Sequence, residues 1–419
     1  MTDLNVTTGN AILKELYDAQ KVRMMSFKDA PLFAMLAKKT DFGGKNYPIP
    51  LQFGTTQGRS AKFANAQANA TAPSYAEFLL TRVPDYSTAT ISGELMLAAT
   101  GDRASFITGT KNLVDSAIIS EKNSIASGLY RSGTGSVAQV NASGWTAGVA
   151  TLTNQLDNVQ FENGMTLNAA ATDGATPRAA LGYVIAVNRG AGTITVSTTP
   201  GGSAGTPSGW SANDFLVVDG DSNAKISGVS AWLPQTAPSG ADNFFGVNRS
   251  VDSRLYGVFY DGSGQIIEEA LIDGLAAVHA QGGNPDVIFT NTTSYAALAK
   301  SLQTRAIAIT TDVEVKDDEG GTVGMVSFKG LEVATGKGTV RLHSDIWCPA
   351  KTAYALQMDT WTLASAGACP HIVGLDGSEG EGEILLRQSN ADSSEVRVRT
   401  YFQLGCGAPG WNGVLKLGV

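Results

Sequence analysis

Cysteine is scarce. Cys348, Cys369 and Cys406 are the only three, odd in number and far apart. That spacing supports neither a disulfide framework nor a paired-cysteine zinc site, and it suits free thiols in a reducing cytoplasm. Histidine is equally rare: His279, His343 and His371 fall at no metal-ligand spacing. No apolar run approaches the roughly 18 residues of a membrane span. The polar start, MTDLNVTTGN, has no basic region and no apolar core, so it does not read as a signal peptide. Charge is low, at 16% of residues, and the net charge is -8 with no basic patch. Avid nucleic-acid binding is therefore not expected.

Catalytic motifs are missing too. There is no Walker A sequence and no G-x-G-x-x-G after a strand. Gly201 to Gly205 spells G-x-S-x-G, but among small polar residues rather than on a strand-to-helix elbow. Asp317, Asp318 and Glu319 form an acidic run without the alternating spacing of a calcium loop. It reads as a solvated loop or a charged contact. No cofactor, metal or catalytic residue is expected, and the chain reads as a structural protein rather than an enzyme.

What is present is a chain of 419 residues, 43% hydrophobic and rich in glycine, with 48. That is enough for a sizeable core and favours strands, loops and broad contact surfaces. Its organising stretch is 102–133. Ile107, Val114, Ile118, Ile125 and Leu129 recur in steps of seven, four, seven and four. Such a period predicts one long helix with an apolar stripe, about 45 Å in length. Asp102 is a fitting N-cap, and Gly133 and Gly135 are expected to stop the helix.

Upstream, 10–37 predicts two short helices, the second opening at Pro31. Residues 41–92 alternate, soften into a glycine- and alanine-rich middle over 55–72, and alternate again. This predicts a long two-stranded arm with Phe78, Leu80 and Val83 inward. A lone two-stranded arm is marginal in water, so it implies a surface to lie on. Downstream, 136–230 loses charge and fills with short strands and turns, as in GYVIAVNRGAGTITV. A small inserted β-barrel or sandwich is expected. From 243 the pattern becomes mixed α/β, with a helix over 265–281, a strand–cap–helix unit over 284–302, and long alternating strands at the end.

The stretch ISGELMLAATGDRASFITGTKNLVDSAIISEKNSIASGLYRSGTG, 91–135, resembles the short helix, break and long spine helix of tailed-bacteriophage major capsid proteins of the Hong Kong 97-type fold. NPDVIFTNTTSYAALAKSL and SFKGLEVATGKGTVRLHSDIW resemble units of that family's axial domain. The resemblance covers nearly the whole chain except 136–230. It implies an α+β fold made of an N-terminal arm (1–40), an extended β-loop (41–92), a peripheral domain with the spine helix (93–135), and an inserted β-rich domain (136–230). A mainly axial domain (231–383) and C-terminal strands returning through both (384–419) complete it. It further implies a virion shell protein, made in the host cytoplasm, that assembles as hexamers and pentamers around double-stranded DNA. Scaffolding, portal and decoration proteins are the implied partners.

The basic arm tip, Arg59 and Lys62, calls for an acidic receiver. The candidates are Asp317, Asp318 and Glu319, or the face of the long helix at Asp115 and Glu121, which is expected to be exposed. Two other readings stay open: another virion protein such as a tail tube or decoration protein, and an enzyme with an unmarked carboxylate pair. The encapsulin shell has the same fold, but this chain's length and β insertion argue against it.

Overall fold

The strand Ser393–Cys406 is the seam of the molecule. Its inward residues Val396, Val398, Thr400 and Phe402 alternate with more exposed neighbours, the period-two pattern of a one-sided sheet. It pairs along one edge with Val83–Ser92, from Phe402 opposite Val83 to Ser393 opposite Ser92. Its C-terminal half pairs with Trp361–Ser365, which pairs in parallel with Ala37–Lys39. Two short strands, His371–Ile372 and Leu386–Arg387, complete a six-stranded sheet, here called the ribbon. The computed structural model describes residues 30–94, 103–240, 242–304, 331–373 and 385–418. The expected first helix, the Asp102 cap and the acidic run Asp317, Asp318 and Glu319 lie outside the described residues.

The long helix is Arg103–Gly128 and packs across the ribbon. It ends before the expected stops at Gly133 and Gly135. After Gly128 the chain turns through Leu129 and Tyr130, both buried, and so joins the core rather than continuing outward. The face that sinks into the core is Ala117, Glu121, Ile125 and Leu129, at steps of four. Val114 and Ile118 are only half-buried, so the inward stripe is rotated from the one that hydrophobicity alone suggests.

The arm is shorter than expected. Asn46–Gly54 pairs antiparallel with Ser74–Thr81, from Asn46 opposite Thr81. The remainder of the return limb, Val83–Ser92, leaves the arm and enters the ribbon. Phe78 and Leu80 are buried as expected, with Phe78 set against Trp232 and Phe244. The tip carries a short helix, Phe63–Ala68. The helix opening at Pro31 is present as Pro31–Met35.

The insertion is a closed barrel. In barrel order its strands are Phe215–Val218, Ser136–Thr146, Val149–Leu152, Thr193–Ser197, Gly182–Asn188 and Thr166–Ala170. Its interior is filled by Val140, Phe161, Leu167, Ile194, Val196 and Leu216, among others. It is a packed core of its own and not a vessel. The chain enters at Gly135 and leaves beside it at Asp221. Gly135 has φ +83° and lies so close to the Asp221 carbonyl that a Cβ there would collide with it.

The α/β part is a mixed six-stranded sheet. In order it runs Val258–Gly262, Gly413–Leu417, Thr352–Leu356, Val287–Thr290, Gly338–Ser344 and Leu331–Thr335. The C-terminal strand thus fills a gap between two strands made much earlier. The helix Ile267–Ala280 starts with Glu268 and Glu269, favourable for the positive end of its dipole. Asn291 caps Thr292–Thr304, its side-chain oxygen accepting from the Thr293 amide at 3.2 Å. Ile267, Leu271, Leu275, Ile288 and Leu298 join these helices to the sheet.

Candidate functional site

Two regions stand out: the exposed half of the arm and a buried polar knot beneath the long helix. The arm's base is held by its own body. Tyr47, Ile49 and Leu51 face the main core along with Phe78 and Leu80. The Leu79 amide also donates to the Phe245 carbonyl at 2.9 Å. Phe53 is the last residue of this limb to pack there, and beyond Gly54 the cover ends. Tyr75 is 69% exposed and Phe63 is 82% exposed. Arg59 and Lys62, the expected basic tip, are both exposed. The tip is ordered locally: the Gln57 amide donates to Thr71 Oγ1 at 3.1 Å, and the Lys62 amide to Ser60 Oγ at 3.2 Å. Arg59, Lys62 and Phe63 therefore lie on the exposed tip, with Tyr75 exposed on the strand behind it, opposite Gln52.

The expected receivers fare differently. Asp115 is half-buried on the long helix. Glu121 is not on an exposed face. It is 1% exposed and belongs to the inward stripe, because it stands one turn from both Ala117 and Ile125. It cannot meet a neighbour's arm in this arrangement, which corrects the expectation that it is a receiver.

Around Glu121 lies the knot. Asp85 of the ribbon accepts from Ser124 Oγ at 2.7 Å and from Lys225 Nζ at 2.8 Å. Lys225 also donates to Ser124 Oγ at 2.9 Å and pairs with Asp221 at 3.2 Å. Thr400, directly opposite Asp85 in the ribbon, points to the same side. Burial opposes the charge on Lys225, yet Asp85 and Asp221 together hold its pKa above the ordinary value. Burial raises the Asp221 carboxyl, against the pull of Lys225. Burial first, and the charge of Asp85 second, push Glu121 up to about 8. The ribbon, the long helix and the segment leaving the barrel are tied here in one place.

A signal for part of this is present in the sequence. Val83 reads as inward, so Asp85 two residues on is inward as well, and an inward acid needs a partner. Nothing local points to Lys225, which is 140 residues away. A second tie joins barrel and body: Arg131, just past the long helix, pairs with Asp157 of the barrel at 3.2 Å. Tyr130 donates to Asp345 at 2.8 Å in the same region.

The histidines form no shared centre. His279 Nδ1 lies 3.0 Å from the Gly283 carbonyl, His371 takes a bond from Arg399 at 2.9 Å, and His343 is half-buried near Arg341. Among the described residues no group of three metal-binding side chains occurs, and no helix is long and apolar enough to cross a membrane. Ser203 of the G-x-S-x-G match sits exposed in a barrel loop. The three cysteines are unpaired.

No family model matches the chain, and no curated relative matches it. Solved structures do. A chain of the cyanophage A-1(L) capsid asymmetric unit is similar over 98% of this chain and 99% of its own, at 14% identity and TM-score 0.55. The capsid of a native GTA particle gives TM-score 0.48 at 10% identity, covering 100% of each chain. An encapsulin complex from Synechococcus elongatus gives TM-score 0.45 at 8% identity, covering 99% of this chain and 96% of its own. Along nearly its whole length this polypeptide has the fold of the cyanophage capsid chain.

Proposed function

We propose that the chain is a major capsid protein of a tailed bacteriophage, with the Hong Kong 97-type fold, building an icosahedral shell from hexamers and pentamers. The end-to-end likeness to the cyanophage A-1(L) capsid chain carries this reading. The exposed arm supports it. Arg59, Lys62, Phe63 and Tyr75 reach away from the subunit with nothing over them among the described residues. In the shell, the arm beyond Gly54 lies on a neighbouring subunit. The long helix and ribbon form the peripheral domain, the mixed sheet the axial domain, and the barrel an added module.

The mechanism is multivalent assembly. An exposed ion pair contributes only about 0–1 kcal/mol. Every subunit both gives an arm and receives one, so weak contacts act together once a ring has closed. The role is structural, not catalytic. Virion location, packaged double-stranded DNA, and portal, scaffolding or decoration partners follow from the same reading. The mild net charge of -8 suits it, since a strongly basic wall would hold the incoming DNA.

Negative-stain microscopy and sedimentation of the purified chain test this. Rings of five or six, or closed particles, are expected. A profile that stays monomeric or dimeric under crowding and with candidate partners would rule the reading out.

A further inference from the structure

Glu121 is buried with no hydrogen-bond partner on either carboxyl oxygen. Ser124, one turn along the same helix face, reaches Asp85, so Glu121 projects into the same knot. From the ribbon, the buried Thr400 hydroxyl faces the carboxyl, short of a well-formed hydrogen bond but close enough to offset part of the burial penalty. From the barrel exit come Lys225 and Asp221. From the turn before His371 comes Cys369, with Lys38 of the first ribbon strand beyond it. One ammonium, Lys225, already serves two carboxylates, Asp85 and Asp221, and makes no bond to Glu121. A third carboxylate here would be a buried charge with no counter-charge of its own, which is strongly disfavoured.

We propose that Glu121 is a proton-linked latch between the long helix and the ribbon: as a neutral acid it seats the helix on the Asp85–Thr400 pair, and on losing its proton it unseats the helix. The neutral carboxyl suits the site because the Thr400 hydroxyl can bond either form but cannot supply the missing counter-charge, and burial beside Asp85 outweighs its help to the ionised form. On release the proton goes to water or buffer, leaving two unneutralised negative charges in place of one.

The sign follows from linkage. The folded form holds the proton up to a pH of about 8, whereas an unfolded glutamate releases it near 4.5. The stabilising effect is complete below the lower value and is lost as pH rises through the upper one. On the shell reading every subunit carries the latch, so one rise in pH loosens all helix–ribbon contacts together. The latch belongs to the single subunit, and its test does not depend on assembly.

Two measurements on the full, unassembled chain decide it. The side-chain carboxyl carbon of Glu121, followed by NMR, should titrate near pH 8; titration near 4.5 overturns the proposal. Denaturant unfolding of parent and Glu121→Gln should diverge with pH. Gln mimics the neutral acid, so the variant gains on the parent by about tenfold in the unfolding constant per pH unit between roughly 5 and 8. A constant ratio across that window also overturns it. If the variant does not fold, the NMR titration of the parent alone decides between the two protonation states.

Discussion

Phe78 of the arm meets the indole of Trp232 edge-on, with ring centroids 4.9 Å apart and planes at 73°. Trp232 in turn donates from its ring N–H to the Leu404 carbonyl at 3.1 Å. The arm's base, the segment leaving the barrel and the ribbon are thereby packed on one another. Phe78→Ala removes the ring from a fully buried site. It should lower stability by about 3–5 kcal/mol, the range for emptying an aromatic site. Denaturant melts check this, and a loss under about 1 kcal/mol would mean the site collapses freely.

The arm should behave as two parts. In the unassembled chain, amides of 76–81 should exchange slowly and those of 55–72 quickly, because burial stops between them. In assembled particles 55–72 should slow. Exchange that is equal in both states would show that the tip does not dock on a neighbour.

Arg59→Glu with Lys62→Glu should leave the subunit's melting unchanged, since both side chains are exposed. It should impair assembly. Raising salt toward 1 M should narrow the gap from the parent, because the Debye length there is about 3 Å. With Glu121 excluded as a receiver, Asp115→Lys is the direct counterpart among the described residues. If it leaves assembly untouched, the receiver lies elsewhere.

The Lys225–Asp85 pair lies largely inside the protein. Lys225→Met should destabilise by about 3–5 kcal/mol, because it leaves the Asp85 charge buried without its cation. Adding Asp85→Asn should recover much of the loss. A double variant as unstable as the single one would assign the effect to packing instead of charge.

The barrel should be cut by limited proteolysis within 201–209, where Gly201, Ser203 and Gly209 are exposed. The stem at 133–136 should resist. Both places are glycine-rich in sequence, but Gly135 and Ser136 are buried. Phe161→Ala should selectively expose barrel amides to exchange, since Phe161 belongs to the barrel's own core. Simultaneous loss of protection in the Ile267–Ala280 helix would mean that barrel and body unfold as one unit.

All three cysteines should stay inert to thiol reagents in the folded chain, and reductant should leave melting unchanged. Burial pushes Cys369 and Cys406 up to about 12 and holds Cys348 well above its ordinary value, so little thiolate exists at neutral pH.

Much of the architecture is legible in local pattern. The strand pairs around GYVIAVNRGAGTITV, the strand–cap–helix order over 284–302, the helix opening at Pro31 and the inward Phe78 and Leu80 all follow from neighbours a few residues apart. Those features depend on backbone sterics, turn chemistry and side-chain alternation, which act over short stretches of chain. The split of 74–92 between arm and ribbon is not legible. Both halves alternate alike, and only the distant partner, Ser393–Cys406, decides which sheet the second half joins.

By itself, then, the sequence determined most of the elements, the two-stranded arm and the β-rich module after the long helix. Only the tertiary structure decided the rotation of the long helix and hence the burial of Glu121. An acid on a helix reads as solvated until its surroundings are known. Its placement depends on Asp85, Thr400 and Lys225, which come from three separate stretches of chain and meet only when the ribbon, helix and barrel exit pack together.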